Sequence, residues 1–156
     1  MERENFMDAV GHYQDLVYRV ALHAAGSPQD AEDVVQEVFL RLFLEEKPFA
    51  GPEHLRRWLI RVTVNAGRDL TKSAWRKRRV PLDSVPEPVF EAPEQQELYR
   101  EVLARPESYR TVLYLFYYEG YSTKEIGEIL GIRQSAVTTR LSRARALLKK
   151  RLTEVL

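Results

Sequence analysis

The sequence predicts an all-helical protein made of two small domains that a proline-rich linker joins. Apolar residues recur at three- and four-residue steps through most of the 156-residue chain, which is the spacing of amphipathic helices. A stretch with four prolines and no helical period interrupts this pattern. The predicted boundaries are 1–79 for an N-terminal helical bundle, 80–93 for a flexible linker, and 94–156 for a four-helix domain with a helix-turn-helix.

Composition excludes several classes of protein. The chain has no cysteine, which rules out disulfides, thiolate metal sites and a cysteine nucleophile. Charges interrupt the apolar residues of the N-terminus, so we expect no signal peptide, no membrane insertion and a cytoplasmic protein. The three histidines are scattered without metal-ligand spacing, so the sequence predicts no metal and no cofactor. The net charge is only +1, so a case for nucleic-acid binding depends on how charge is arranged.

Residues that end or begin helices mark the boundary between the first two helices. One apolar stripe ends near Gly26, after which Ser27 can cap a second helix and Pro28 suits its first turn. This second helix is predicted to run to about Glu46, with acidic side chains outside its apolar stripe. The predicted stripe consists of Val34, Val35, Val38, Phe39, Leu42 and Phe43.

A third helix begins near Pro52 or Glu53, because the preceding segment KPFAGPE contains two prolines and a glycine. Its predicted inward residues are Leu55, Trp58, Leu59, Val62 and Leu70. The helix is strongly basic, because Asp69 is the single acid among its cations. These cations are Arg56, Arg57, Arg61, Arg68, Lys72, Arg76, Lys77, Arg78 and Arg79.

The segment that begins at Ser122 has the order of a helix-turn-helix. Ser122 and Glu125 are spaced to form a capping box, and Gly131 can adopt the left-handed conformation that ends the first helix. Gly127 stands where the second helix must cross closely. The predicted buried face of the second helix is Val137, Leu141, Ala144 and Leu148.

The opposite face of that second helix carries the candidate readers of DNA: Gln134, Ser135, Thr138, Thr139, Ser142 and Arg143. No acid occurs among the cations Arg133, Arg140, Arg143, Arg145, Lys149, Lys150 and Arg151, so this surface should attract phosphate. A two-helix hairpin with a solvated basic face is the alternative interpretation. Short polar residues at the exposed positions favour DNA binding, since surfaces without a ligand usually carry Lys and Glu.

Three segments together resemble the extracytoplasmic-function sigma factors of bacteria: DAEDVVQEVFLRLF from Asp30, HLRRWLIRVTVNAGRDL from His54, and YYEGYSTKEIGEILGIRQSAVTTRLSRARALL from Tyr117. The resemblance implies an RNA polymerase sigma factor that directs promoter recognition and transcription initiation, and not an enzyme. It also implies three partners: core RNA polymerase, contacted at the coiled coil of its largest subunit and at its flap, promoter DNA, and an anti-sigma factor.

The resemblance further implies a role for particular residues. Polymerase binding falls on Asp33, Gln36, Glu37 and Leu40. Recognition of the −10 element falls on Phe49, Ala50, Gly51, Pro52, Glu53, Arg61, Asn65, Arg68 and Lys72. Recognition of the −35 element falls on Ser135, Thr138, Thr139, Arg140, Ser142 and Arg143. Thr138 departs from the Lys or Arg common at its position, which puts that base contact in doubt. The alternatives without a binding role are a solvated acidic or basic helix surface and, for Asn65, a side-chain amide that is hydrogen-bonded locally.

Two other functions compete with this interpretation. A free-standing helix-turn-helix regulator would leave the acidic second helix and the basic third helix unexplained, and such regulators usually dimerise to read two half-sites. An enzyme acting on nucleic acid would need clustered ligands or a nucleophile beside a base, and the sequence shows neither arrangement.

Overall fold

The computed structural model describes the backbone of residues 1–72 and 93–155, and the side chains of residues 1–70 and 96–154. The described chain is all-helical and divides into two compact units, which confirms the predicted fold class. The predicted linker lies outside the described residues except for Pro93, and the domain boundaries drawn from the sequence stay a prediction. The first unit holds α1 (Arg3–Ala25), α2 (Pro28–Leu44) and α3 (Pro52–Lys72). The second holds α4 (Pro93–Leu103), α5 (Glu107–Leu113), α6 (Thr123–Leu130) and α7 (Gln134–Val155).

The α1–α2 corner forms as its sequence predicts. Gly26 ends α1 with a φ of 89°, and its N–H donates to the Leu22 carbonyl. The Ser27 hydroxyl then accepts from the Asp30 N–H at 3.3 Å, which caps α2. A Cβ added to Gly67 in α3 would lie 2.6 Å from the Ala24 Cβ, so α1 and α3 approach closely at this point.

The predicted inward face of α3 is only partly right. Leu59 is fully buried, whereas Trp58 and the other three predicted residues are half-buried. The buried side of α3 is made by Leu59, Ile60, Thr63, Val64, Ala66 and Gly67. The prediction failed because α3 carries apolar side chains on both faces, and Trp58 packs edge-on against Phe49, with 5.3 Å between the ring centroids.

The stripe of α2 also ends differently from the prediction. Val34, Val38, Phe39 and Leu42 are buried, but Phe43 is 46% exposed. Phe43 packs at the edge of the core, edge-on against Phe6 with ring centroids 5.2 Å apart. The end of α2 therefore presents apolar surface to solvent.

Among its described residues, the second unit has an irregular turn and a long-range ion pair. A π-helical turn, Tyr114–Tyr118, follows α5, and within it Leu115 is buried while Tyr118 stacks on Tyr114 at 5.1 Å. Glu101 of α4 is 7% exposed, and its carboxylate lies 3.4 Å from the Arg151 Nε of α7. This pair ties the far end of α7 to α4.

Candidate nucleic-acid interface

The helix-turn-helix of α6 and α7 is built by three local devices that the sequence predicted. Ser122 Oγ accepts from the Glu125 N–H at 3.1 Å, and the Glu125 carboxylate accepts from the Ser122 N–H at 2.9 Å, which completes the capping box. Gly131 ends α6 with a φ of 71°. A Cβ on Gly127 would lie 2.8 Å from the Ile132 carbonyl oxygen, so only glycine fits without movement.

The two faces of α7 also divide as predicted. Val137, Leu141, Ala144 and Leu148 are buried. The exposed residues on the other side are Ser135, Thr138, Thr139, Ser142 and Arg143, and Arg140 is half-buried at the margin. Residues that share a face at helical spacing form one continuous surface. Short hydroxyls at its N-terminal part would let a groove approach the backbone, and Arg143 projects farther along the same helix.

Some polar groups of α7 are engaged within the second unit. The Gln134 amide nitrogen donates to Thr123 Oγ1 at 2.9 Å, which braces the start of α7 against α6. The Thr138 hydroxyl donates to the Gln134 carbonyl at 3.1 Å. The Arg145 guanidinium lies over the Tyr117 ring, 5.9 Å from its centroid, within cation–π range. Gln134, a candidate reader from the sequence, therefore has a structural contact as well.

Arg151 differs most from the sequence prediction of a uniform basic surface. Its Nε donates to the buried Glu101 carboxylate, and its Nη1 lies 3.2 Å from Glu154. The hydrogen bond with Glu101, followed by that residue's negative charge, raises the pKa of Arg151. Arg105 approaches the same Glu101 carboxylate at 3.6 Å. Glu101 lies 50 positions earlier in the chain, so sequence spacing could not have indicated this pairing.

On α2, the four predicted polymerase-binding residues lie on one face. Asp33, Gln36, Glu37 and Leu40 follow the i, i+3, i+4, i+7 spacing of a single helix side. Gln36, Glu37 and Leu40 are exposed, Asp33 is half-buried, and Glu37 pairs with Arg41 at 2.7 Å. Leu44 continues this face one turn further and is 65% exposed. The sequence reasoning missed Leu44, although its i+4 spacing from Leu40 was visible.

The outer face of α3 carries four of the predicted −10 residues. Arg61, Asn65, Arg68 and Lys72 follow one another at helical spacing, opposite the buried face of α3. Arg61 is exposed and Arg68 is half-buried. Arg68 Nη2 donates to Asn65 Oδ1 at 2.8 Å, so the Asn65 oxygen has a local partner. Lys72 is the last residue of α3, and its side chain lies outside the described part.

The predicted recognition loop from Phe49 to Glu53 is shorter than expected, because Pro52 and Glu53 already belong to the first turn of α3, and several contacts hold it. Phe49 packs edge-on against both His54 and Trp58, with ring centroids 5.3 Å apart in each pair. The Ala50 N–H donates to His54 Nδ1 at 2.8 Å. From α1, the Tyr13 hydroxyl reaches the Pro52 carbonyl at 3.5 Å.

Two further contacts stabilise the start of α3. The Leu55 N–H donates to the Gly51 carbonyl at 3.1 Å, and Glu53 pairs with Arg57 at 2.9 Å. The predicted loop residues are thus brought into one ordered turn that precedes the basic face of α3.

Two features are absent from the described residues. None of their helices is both long and apolar enough to cross a membrane. Within the same parts of the chain, no group of three or more His, Cys, Asp and Glu side chains could hold a metal ion.

Comparison with known families identifies the class to which this arrangement belongs. Residues 9–79 match the family described as sigma-70 region 2, and residues 96–148 match sigma-70 region 4. The first match covers α1 from residue 9 onward together with α2, the loop and α3, and the second covers α6 and α7 as far as residue 148. The class is thus that of sigma-70-type sigma factors.

Individual relatives narrow the class to one family. The chain is 29% identical to ECF RNA polymerase sigma factor SigW of Bacillus subtilis, over 99% of this chain and 92% of the relative. It is 31% identical to ECF RNA polymerase sigma factor SigL of Mycobacterium tuberculosis, over 90% of this chain and 84% of the relative. It covers only 59% of the longer SigE of Mycolicibacterium smegmatis, at 30% identity and over 91% of this chain. The chain belongs to the extracytoplasmic-function (ECF) family of RNA polymerase sigma factors.

Two solved structures share the fold. The Bartonella quintana sigma factor RpoE in complex with the anti-sigma factor NepR matches with a TM-score of 0.71 and 18% identity, over 96% of this chain and 98% of that chain. CnrH in complex with the cytosolic domain of CnrY matches with a TM-score of 0.68 and 25% identity, over 98% and 90%.

Proposed function

We propose that this chain binds core RNA polymerase through α2 and directs it to promoters with two DNA-binding surfaces. The loop Phe49–Glu53 and the outer face of α3 would engage the −10 element, and α7 would engage the −35 element. This proposal divides the chain as its sequence suggests, with residues 1–79 for polymerase and the −10 element and residues 94–156 for the −35 element. The observation that carries it is the exposed face of α7, where short hydroxyls and Arg143 stand opposite a fully buried stripe.

Recognition of the −35 element would use the major groove, which admits an α-helix. Arg143 is exposed and can pair bidentately with a guanine, a contact that contributes roughly 1 to 3 kcal/mol of discrimination against other bases. Ser135, Thr138, Thr139 and Ser142 are short enough to let the α7 backbone approach base edges. Arg140, half-buried at the margin of the face, is better suited to a backbone phosphate.

Recognition of the −10 element would use a different geometry. The basic face of α3 offers Arg61, Arg68 and Lys72 at helical spacing to the phosphates of one strand. Asn65 lies among them, and its amide nitrogen can donate to a base edge while its oxygen accepts from Arg68. The loop ahead of α3 would surround a base that has left the stack, since flipped bases are read in pockets that side chains and backbone form.

Polymerase binding would use the α2 face, with Asp33, Gln36 and Glu37 as polar contacts and the exposed Leu40 as the apolar one. We propose that the protein acts by binding alone, without catalysis, and in the cytoplasm, where polymerase and promoters are found. An anti-sigma factor would regulate it by covering these surfaces; the similar structure of the sigma factor RpoE was solved in complex with the anti-sigma factor NepR.

Run-off transcription with core polymerase on a library of genomic fragments tests the proposal. We expect initiation at defined promoters, with Arg143→Ala reducing discrimination between −35 sequences by about 10-fold or more, because it removes a bidentate base contact. Asp33→Ala should instead weaken core binding in a pull-down and leave promoter preference unchanged. Arg3→Ala and Asp15→Ala remove the same charges from exposed positions on α1 and serve as matched controls.

Two results would overturn the proposal. One is a chain that neither binds core polymerase nor changes promoter output. The other is tight binding of duplex operator DNA by a dimer without polymerase, which would indicate a free-standing regulator. If initiation occurs but Arg143→Ala and Asp33→Ala have the same effect, the residue roles are wrong although the family is right.

A further inference from the structure

His54 holds the loop ahead of α3 through a specific hydrogen bond. The Ala50 N–H donates to His54 Nδ1 at 2.8 Å, a short distance for a nitrogen acceptor. A ring nitrogen that accepts a hydrogen bond from a backbone amide does so through its lone pair and cannot itself carry a proton. The contact therefore requires the neutral imidazole with its proton on Nε2.

The same ring also fixes the first side chain of the loop. Phe49 lies edge-on to His54 and edge-on to Trp58, with 5.3 Å between centroids in each pair. Edge-to-face geometry at this separation is favourable for aromatic rings. His54 thus holds two consecutive loop residues, one through its nitrogen and one through its ring.

Helical spacing places His54 on the face of α3 that carries the −10 residues. His54 and Trp58 are four residues apart, and Arg61, Asn65 and Arg68 continue the series. The side chain that shapes the loop therefore borders the surface that would contact DNA. It can do so without touching a base.

We infer that His54 is a positioning residue that sets the conformation of the −10 recognition loop and thereby its base preference. The inference rests on the proposed function of that loop. A loop held in its bound shape loses less conformational entropy on binding, and a loop of fixed shape rejects bases that do not fit. Without the Nδ1 acceptor, the Ala50 N–H would turn to solvent and the loop would sample other shapes.

Two substitutions separate the roles of the ring and of the nitrogen. His54→Phe keeps a flat ring beside Phe49 but has no acceptor. His54→Asn has no ring, but its amide oxygen can occupy nearly the same position as Nδ1 and accept from Ala50. His12→Phe is the control, because His12 is another exposed histidine whose Nδ1 faces a backbone carbonyl, that of Asp8.

The first measurement uses the full chain without DNA. In nitrogen-15 NMR we expect the His54 ring to show the Nε2-protonated neutral form. The Ala50 amide should exchange with solvent about fivefold faster in His54→Phe, a factor appropriate to the loss of one exposed hydrogen bond, and at nearly the wild-type rate in His54→Asn. Unchanged exchange in His54→Phe, or equally fast exchange in both variants, would overturn the inference.

The second measurement uses the holoenzyme on promoters with single-base changes in the −10 or the −35 element. We expect His54→Phe to reduce discrimination within the −10 element by about fivefold. It should leave −35 discrimination and core binding unchanged, His54→Asn should restore the preference, and His12→Phe should behave as wild type. A −10 preference unaffected by His54→Phe, or not restored by His54→Asn, would refute the positioning role. A holoenzyme that initiates nowhere would instead refute the proposed function.

Discussion

Gly127 permits a direct measurement of how closely α6 approaches the turn before α7. A methyl group at this position would lie 2.8 Å from the Ile132 carbonyl oxygen and 3.4 Å from the Gln134 nitrogen, both of which are backbone atoms. Backbone cannot rotate away as a side chain can, so the turn itself must shift by about half an ångström. Overpacking of this kind typically costs about 1–3 kcal/mol.

Helix propensity acts in the opposite direction at the same residue. Alanine inside a helix is favoured over glycine by about 1 kcal/mol, so the net free energy of unfolding should fall by up to about 2 kcal/mol in Gly127→Ala. Gly11 in α1 is the matched control, because a Cβ there meets nothing within 4 Å. Gly11→Ala should therefore raise the free energy of unfolding by up to about 1 kcal/mol.

The assay compares two signals during thermal unfolding. Both tryptophans precede residue 80, so tryptophan fluorescence reports on the first unit, whereas circular dichroism reports on all helices. Gly127→Ala should lower the midpoint temperature of the circular-dichroism transition of the second unit by about 4–8 °C for each kcal/mol of lost unfolding free energy. The midpoint of the fluorescence transition should not change. A Gly127→Ala protein more stable than wild type by about 1 kcal/mol would refute the close approach, because helix propensity alone predicts that gain.

Two further predictions concern stability. Ser122→Ala should lower the free energy of unfolding by about 1 kcal/mol in urea denaturation, because it removes the hydroxyl oxygen that accepts from the Glu125 N–H; an unchanged midpoint would contradict the cap. Burial, followed by the negative charge of Glu32, raises the pKa of Tyr18, so its contribution to stability is present below about pH 10 and is lost as the pH rises through the raised value. Tyr18→Phe should therefore make the alkaline decline in unfolding free energy shallower, and an identical decline in both proteins would contradict the shift.

Local signals made the helix-turn-helix predictable. The capping box, the left-handed Gly131 and the stripe through Val137 and Leu141 each follow from residues a few positions apart, and the structure contains all of them. The corner at Ser27 follows from the same kind of signal. Such features depend on backbone geometry that short stretches of sequence determine.

The errors arose where distant residues determine the outcome. Periodicity predicts that Trp58 is a core residue, but it is half-buried and packs edge-on against Phe49. The path of the loop, which helical periodicity does not describe, brings the Phe49 ring to this position. The sequence predicts that Arg151 belongs to a basic surface, but the Arg151 side chain donates a hydrogen bond to Glu101 on another helix. Whether the predicted site residues bind polymerase and DNA depends on partners, so those roles stay predictions.

The ion pair between Arg151 and Glu101 affects how binding should respond to ionic strength. A cation that neutralises a phosphate releases a condensed counterion, and each such release contributes roughly 0.9 to the slope of log affinity against log salt. Arg151 faces a carboxylate of its own protein, so we expect it to release no counterion from DNA. A count of basic residues in α7 would therefore overstate the sensitivity to salt. The affinity for promoter DNA should fall less steeply with rising salt concentration than the sequence suggests.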